Sequence, residues 1–188
     1  MAQRLGQEEL LERGPMRRLV VRKGDSGWWG IDPSTRGVSI AHVAPDGTRG
    51  VSTVTFEGGE GGKRLAAILR HTRGLAVVLA GKCAPGVIVV EQPSGKRPNP
   101  SLSYAVGVVM AAVCEAIPGV KLETVPSATW KRVACGRGDI RKPKPSSGEE
   151  YAVLTWAKTR GYAGKSYDEV DAMGVAEYAR KTIALEER

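Results

Sequence analysis

The chain has 188 residues, 41% of them hydrophobic and 26% charged, which suits one domain with a substantial core. Lysine and arginine outnumber the acids 28 to 20, and the formal charge of +8 favours a polyanionic partner such as nucleic acid or an anionic membrane surface, with plain solubility as the other explanation. No apolar run approaches the roughly 18 to 20 residues that span a bilayer and the N-terminus carries no signal-peptide core, so the expectation is a soluble, intracellular, cytoplasmic protein. Cys83, Cys114 and Cys135 lack any C-x-x-C pair, which argues against a disulfide framework or a zinc ribbon. With His42 and His71 the only histidines, carboxylates must carry any hydrolytic chemistry.

Residues 1–27 are polar and uneven and read as an arm. Within it Glu8 to Glu12 suit a helical turn and Met16 to Lys23 an added strand. The domain proper is expected over 28–188. Its first strand holds Trp29 and Ile31 and reaches Asp32 at a corner formed by Pro33 to Gly37, after which Val38 to Ala41 alternate as a second strand. An acid ending an apolar strand is costly unless hydrated, capped or facing a cation. Pro45-Asp46-Gly47 is a turn signal, and Val51 to Phe56 alternate again, so three antiparallel strands open the domain.

A glycine-rich break at Glu57 to Gly62 reads as a linker, because no G-x-x-x-x-G-K-[ST] loop is present. Leu65, Ile68, Leu69, Thr72 and Ala76 recur at helical spacing. Val87 to Val90 form a continuous β-branched run, as in strands buried on both faces, and end in a second misplaced acid, Glu91. Asn99-Pro100 starts a helix through Ile117 that is apolar nearly all round, so one of its faces is expected to meet another element or a second subunit. Val120 to Val125 form a further strand.

Ser127 is expected to cap a short helix carrying Trp130. The cations Lys131, Arg132, Arg137, Arg141, Lys142 and Lys144 cluster around Gly136 and Gly138 and suit a loop that grips a phosphate backbone, although most charge runs are simply solvated. Ser147 to Glu150 read as a capping box for a helix with Val153 and Trp156, and Ser166 with Glu169 as a second one. The latter places Asp168 and Asp171 three apart on one helix face. The helix dipole accounts for Asp168 but not for Asp171, which shares its stripe with Val175 and Tyr178 where an apolar residue is expected.

Asp32 and Glu91 thus end strands, and Asp168 and Asp171 lie on one face of the last helix. Four carboxylates brought together would repel one another unless divalent cations neutralised them, and hard oxygen ligands favour Mg²⁺ or Mn²⁺ over zinc. Two such ions, about 4 Å apart, suit phosphodiester hydrolysis, and with a basic surface the expectation is a nuclease.

The segments G-I-D-P-S-T-R-G, V-I-V-V-E-Q-P followed by N-P-S-L-S-Y-A-V-G, P-S-A-T-W-K-R-V-A-C-G-R-G and D-E-V-D-A-M-G-V-A occur in this order between Gly30 and Ala176. Together they resemble the RuvC family of Holliday junction resolvases in the ribonuclease H-like superfamily. The resemblance implies an α/β ribonuclease H-like fold, with a mixed five-stranded sheet of three antiparallel then parallel strands flanked by helices. It implies a homodimeric, Mg²⁺-dependent endonuclease with two ions per site that nicks paired strands of branched DNA. Asp32, Glu91, Asp168 and Asp171 would be its catalytic metal ligands, Lys131 a matching basic residue, and Lys142 or Lys144 the later lysine near the site. The extra residues before Trp28 and the proline-rich stretch from Gly138 to Glu150 depart from the family pattern and leave fork or flap cleavage as the alternative substrate class. A non-catalytic DNA-binding relative should have lost an acid, and an actin-like or sugar-kinase ATPase would need glycine soon after Asp32 and two lobes.

Overall fold

Alternation along the first strand sorts its side chains into two cores. In β1 (Gly27–Pro33) the fully buried Trp29 and Ile31 face one side of a sheet, while Trp28, Gly30 and Asp32 face the other. The structure is a computed structural model and describes residues 26–56, 60–93, 99–144, 146–162 and 164–183. The arm expected over 1–27 lies outside these residues apart from its last two, and Gly27 already belongs to β1.

β1 pairs antiparallel with β2 (Gly37–Val43), which pairs antiparallel with β3 (Arg49–Thr55). On its other edge β1 runs parallel to β4 (Pro85–Gln92), and β4 parallel to β5 (Lys121–Pro126). The sheet order is β3-β2-β1-β4-β5, the mixed five-stranded arrangement that the strand patterns and the resemblance imply.

Two helices cover the Trp29 face. α1 (Gly61–Ala80) and α2 (Pro100–Ala116) pack against each other and onto Ile31, Ile40, Ile88 and Val90 through Ile68, Ala76, Ala105 and Val109. The glycine-rich linker is corrected at its end, because Gly61 and Gly62 belong to the first turn of α1. The nearly all-apolar α2 puts one side on the sheet and another on α1, so much of its second face finds a partner inside the chain. Tyr104 of α2 stays 66% exposed, and Leu69, Val77 and Val78 of α1 are exposed as well.

The opposite face is covered by α3 (Ser127–Cys135), α4 (Ala152–Thr159) and α5 (Tyr167–Thr182). α5 lies directly over β1, and Gly30 permits this: a Cβ there would fall 2.1 Å from the backbone nitrogen of Ala176 and 2.3 Å from the carbonyl of Ala172. Gly174 gives the same clearance to Trp130, whose ring would meet an added Cβ at 2.3 Å.

Local capping explains where several helices start. Asn99 accepts from the backbone N–H of Ser101 with Pro100 at the first helical position, and Ser166 with Glu169 completes a reciprocal capping box. Two expectations are corrected. The Ser147 to Glu150 box does not form, because α4 starts only at Ala152; Ser147 instead donates to the carbonyl of Lys144 and accepts from the N–H of Glu149. Ser127 is the first residue of α3 rather than its cap, and its hydroxyl bonds to Glu91. Among the described residues no helix is long and apolar enough to cross a membrane.

Candidate active site

Strand parity brings the acids to one place. Asp32 follows Gly30 on the α5 face of β1, and Glu91 follows Val87 and Val89 on the same face of β4. The parallel register pairs Ile31 with Val90, so the two acids come at the next step, at the C-terminal ends of adjacent strands. Open α/β sheets form their ligand sites there. α5 supplies the third wall: an oxygen from each of Asp32, Glu91 and Asp171 lies within 4.8 Å of the others.

Asp168 sits one turn earlier on α5 and joins through Lys142. The Lys142 ammonium lies 2.9 Å from Asp171 Oδ2, 3.0 Å from Asp168 Oδ1 and 3.8 Å from Asp32 Oδ2. Of the two lysines that could reach the site, Lys142 is therefore the one inside it. A cleft of about 300 Å³ opens from these groups between the Pro33 to Thr35 turn and the start of α2 at Asn99 and Leu102.

The electrostatics are those of crowded acids. Burial is the largest influence on Asp32 and raises its pKa well above the usual carboxylate value, and the charges of Glu91 and Asp171 add to the rise. Burial also raises Glu91, assisted by Asp171 and opposed by hydrogen bonds from Ser127 and Trp130. Asp171 is raised by burial against the opposing pull of Lys142 and Tyr151. Burial works against the Lys142 ammonium, but Asp171 and Asp32 outweigh it and its pKa stands above the ordinary lysine value. Such a set of carboxylate oxygens around a cation suits a hard divalent ion, and the residues present fit one.

Two buried aromatic residues back this arrangement. Trp130 Nε1 donates to Glu91 Oε2 at 2.9 Å, and the Tyr151 hydroxyl donates to Asp171 Oδ1 at 2.8 Å. Burial and then the Asp171 charge push the Tyr151 phenol far above its ordinary pKa, so it remains a donor. Sequence reasoning places Trp130 only beside a basic loop and passes over Tyr151. The one signal for Tyr151 is a large aromatic directly ahead of a helix whose apolar residues Val153, Trp156 and Ala157 are buried.

The basic segment is corrected in part. Lys131 is 6% exposed and donates to the carbonyl of Ile140 at 3.1 Å, so its ammonium is not on a surface a phosphate could reach. It tethers the chain that leads to Lys142. Arg132, Arg137, Arg141 and Lys144 are exposed, with Arg137 paired to Asp139 at 3.0 Å.

No family model and no curated protein matches this sequence. Solved structures do match the fold. Thermus thermophilus RuvC superposes with a TM-score of 0.55 at 18% identity over 81% of this chain and 94% of that one. T. thermophilus RuvC in complex with a Holliday junction substrate gives a TM-score of 0.58 at 18% identity, over 84% and 96%. The yeast mitochondrial Holliday junction resolvase Ydc2 has a TM-score of 0.48 at 12% identity over 85% and 79%. With its mixed sheet in the order β3-β2-β1-β4-β5 and helices on both faces, the chain has the fold of RuvC.

Proposed function

We propose that the protein is a Mg²⁺-dependent endonuclease that nicks paired strands of branched DNA, with four-way junctions as its substrate. The observation that carries this reading is the meeting of Asp32, Glu91 and Asp171 within 4.8 Å at the ends of two parallel strands. Asp32, Glu91, Asp168 and Asp171 would hold two Mg²⁺ or Mn²⁺ ions, which supply charge neutralisation at the scissile phosphate and activation of water. In the hydrolysis, water adds to phosphorus and gives up a proton, the bond from phosphorus to the deoxyribose 3′ oxygen breaks and that oxygen takes up a proton, leaving a 5′-phosphate and a 3′-hydroxyl that a ligase can rejoin.

The chain's own residues do the remaining work. Lys142 lines the cleft, where its ammonium would meet the phosphate. Arg132, Arg137, Arg141 and Lys144 form the exposed basic flank for the DNA backbone. Paired nicks need two active sites, and a homodimer would provide them, with exposed Tyr104 of α2 as one apolar residue it could cover.

A gel assay with four-way junction, fork, flap and linear duplex in Mg²⁺ tests the reading. Symmetric nicks in the junction are the expected result. Preferential cutting of forks or flaps would move the substrate class, and no Mg²⁺-dependent cutting of any branched DNA would reject the nuclease.

A further inference from the structure

In two of the clustered acids, one oxygen is held from behind. Glu91 gives Oε2 to the Trp130 indole and Asp171 gives Oδ1 to the Tyr151 phenol. The second oxygen of Asp171 behaves differently: Oδ2 lies 2.9 Å from the ammonium of Lys142, a residue that lines the cleft. An ionised carboxylate can accept through both oxygens and can rotate about its last bond. A fixed donor on one oxygen ends that rotation and leaves the other for whatever cation enters.

The donors are themselves buried. Trp130 and Tyr151 are both 0% exposed, and Trp130 lies against the backbone gap left by Gly174. The buried Lys131 ammonium stands 5.3 Å from the Trp130 ring centre and 5.7 Å from that of Tyr151, bridging the two. The other indoles with bonds show what satisfying a buried N–H ordinarily takes: Trp28 and Trp29 donate to the main-chain carbonyls of Ile183 and Cys83. Trp130 ends on an acid of the cleft instead.

We propose that Trp130 and Tyr151 are positioning residues for a divalent cation, each fixing one oxygen of Glu91 or Asp171 so that the acid presents its other oxygen to the ion. This assignment rests on reading the cleft as a cation site and adds the donors that orient it.

The test uses the full chain with Mn²⁺ or Mg²⁺ alone, without DNA. The sequence has four tryptophans, so the ¹⁵N spectrum carries four indole signals. On Mg²⁺ titration the Trp130 signal should shift, while that of Trp29, bonded on the opposite face of the sheet, should stay. Trp130→Phe and Tyr151→Phe keep a ring and lose the donor, and each should weaken the calorimetric affinity for Mn²⁺ by roughly 10- to 100-fold, the range typical of partners that orient a metal ligand. A purely structural role would lower the melting temperature and leave the affinity unmoved. Affinities within twofold of the parent in both variants, or an immobile Trp130 signal at saturating metal in the parent, would overturn the assignment while the cation site stood. Absence of any metal binding by the parent would overturn both, and the spectral arm needs no variant to fold.

Discussion

Lys142 Nζ lies 2.9 Å from Asp171 Oδ2, and this ion pair places a cation from the chain itself among acids that would otherwise repel one another. Lys142→Gln should lower the metal-free stability by about 1 to 2 kcal/mol, a buried-pair cost reduced because the lysine is 41% exposed. The same variant should bind Mn²⁺ more tightly, since no ammonium competes with it. Paired melting curves with and without Mn²⁺ check both effects, and an unchanged metal increment would show that lysine and metal do not share the space.

Substituting the acids separates binding from chemistry. Asp32→Asn, Glu91→Gln, Asp168→Asn and Asp171→Asn should each reduce junction cleavage by more than about 100-fold while DNA affinity persists. Full Mg²⁺-dependent cleavage in all four would remove the site from consideration.

The pH dependence follows from burial. Asp32, Glu91 and Asp171 have folded pKa values raised above their unfolded ones. Their neutral forms therefore favour the folded state: the contribution is present below the ordinary carboxylate pKa, about 4, and is lost as pH rises through the raised values. A divalent ion binds the ionised forms and restores what is lost. The gain in melting temperature from millimolar Mg²⁺ should thus be larger at pH 8 than at pH 5, and equal gains at both would contradict the argument.

Much of this was legible in the sequence because period-two alternation fixes which face a residue takes. Asp32 and Glu91 each end an apolar strand shortly before a proline, and the Ser166 and Glu169 box sets the phase of α5, which puts Asp168 and Asp171 on one side. What the sequence concealed depends on contacts that residue type and spacing do not encode. Lys131 looks like its basic neighbours, yet its position on α3 turns it inward to Ile140. Tyr151 meets Asp171 only because α4 packs beside α5, and no local pattern encodes that. The false box at Ser147 shows the limit of capping motifs: Ser147 and Glu150 matched the pattern, but the chain turned on the Lys144 carbonyl first.

The corrected basic segment sets up a contrast in salt dependence. Arg141→Ala and Lys144→Ala, both at exposed positions, should weaken DNA binding and reduce the slope of log affinity against log salt by about 1 for each phosphate no longer neutralised. Lys131→Ala should leave the slope unchanged and lower the melting temperature, because it removes a buried tether. A slope change for Lys131 equal to that for Arg141 would restore it to the DNA surface.

Glu177 on α5 provides the reference case of a buried acid outside the cleft. It is 3% exposed, accepts from Arg180 at 2.7 and 2.9 Å, and accepts from the Tyr162 hydroxyl at 3.2 Å. Burial raises its pKa, but the Arg180 bonds and charge outweigh burial and hold it below the ordinary glutamate value. The sign is the reverse of that for the cleft acids: the stabilisation is present above the unfolded pKa and disappears as pH falls through the lower folded value. Glu177→Gln should cost about 2 kcal/mol at pH 7, less than for a fully buried pair because Arg180 is 39% exposed, and the loss should shrink towards pH 4. Mn²⁺ affinity should not change, since the α5 acids that face the cleft lie nearer the start of the helix. A weakened Mn²⁺ affinity in this variant would mean that the site responds to any loosening of α5, and that reduced binding in the cleft variants cannot be assigned to their own side chains.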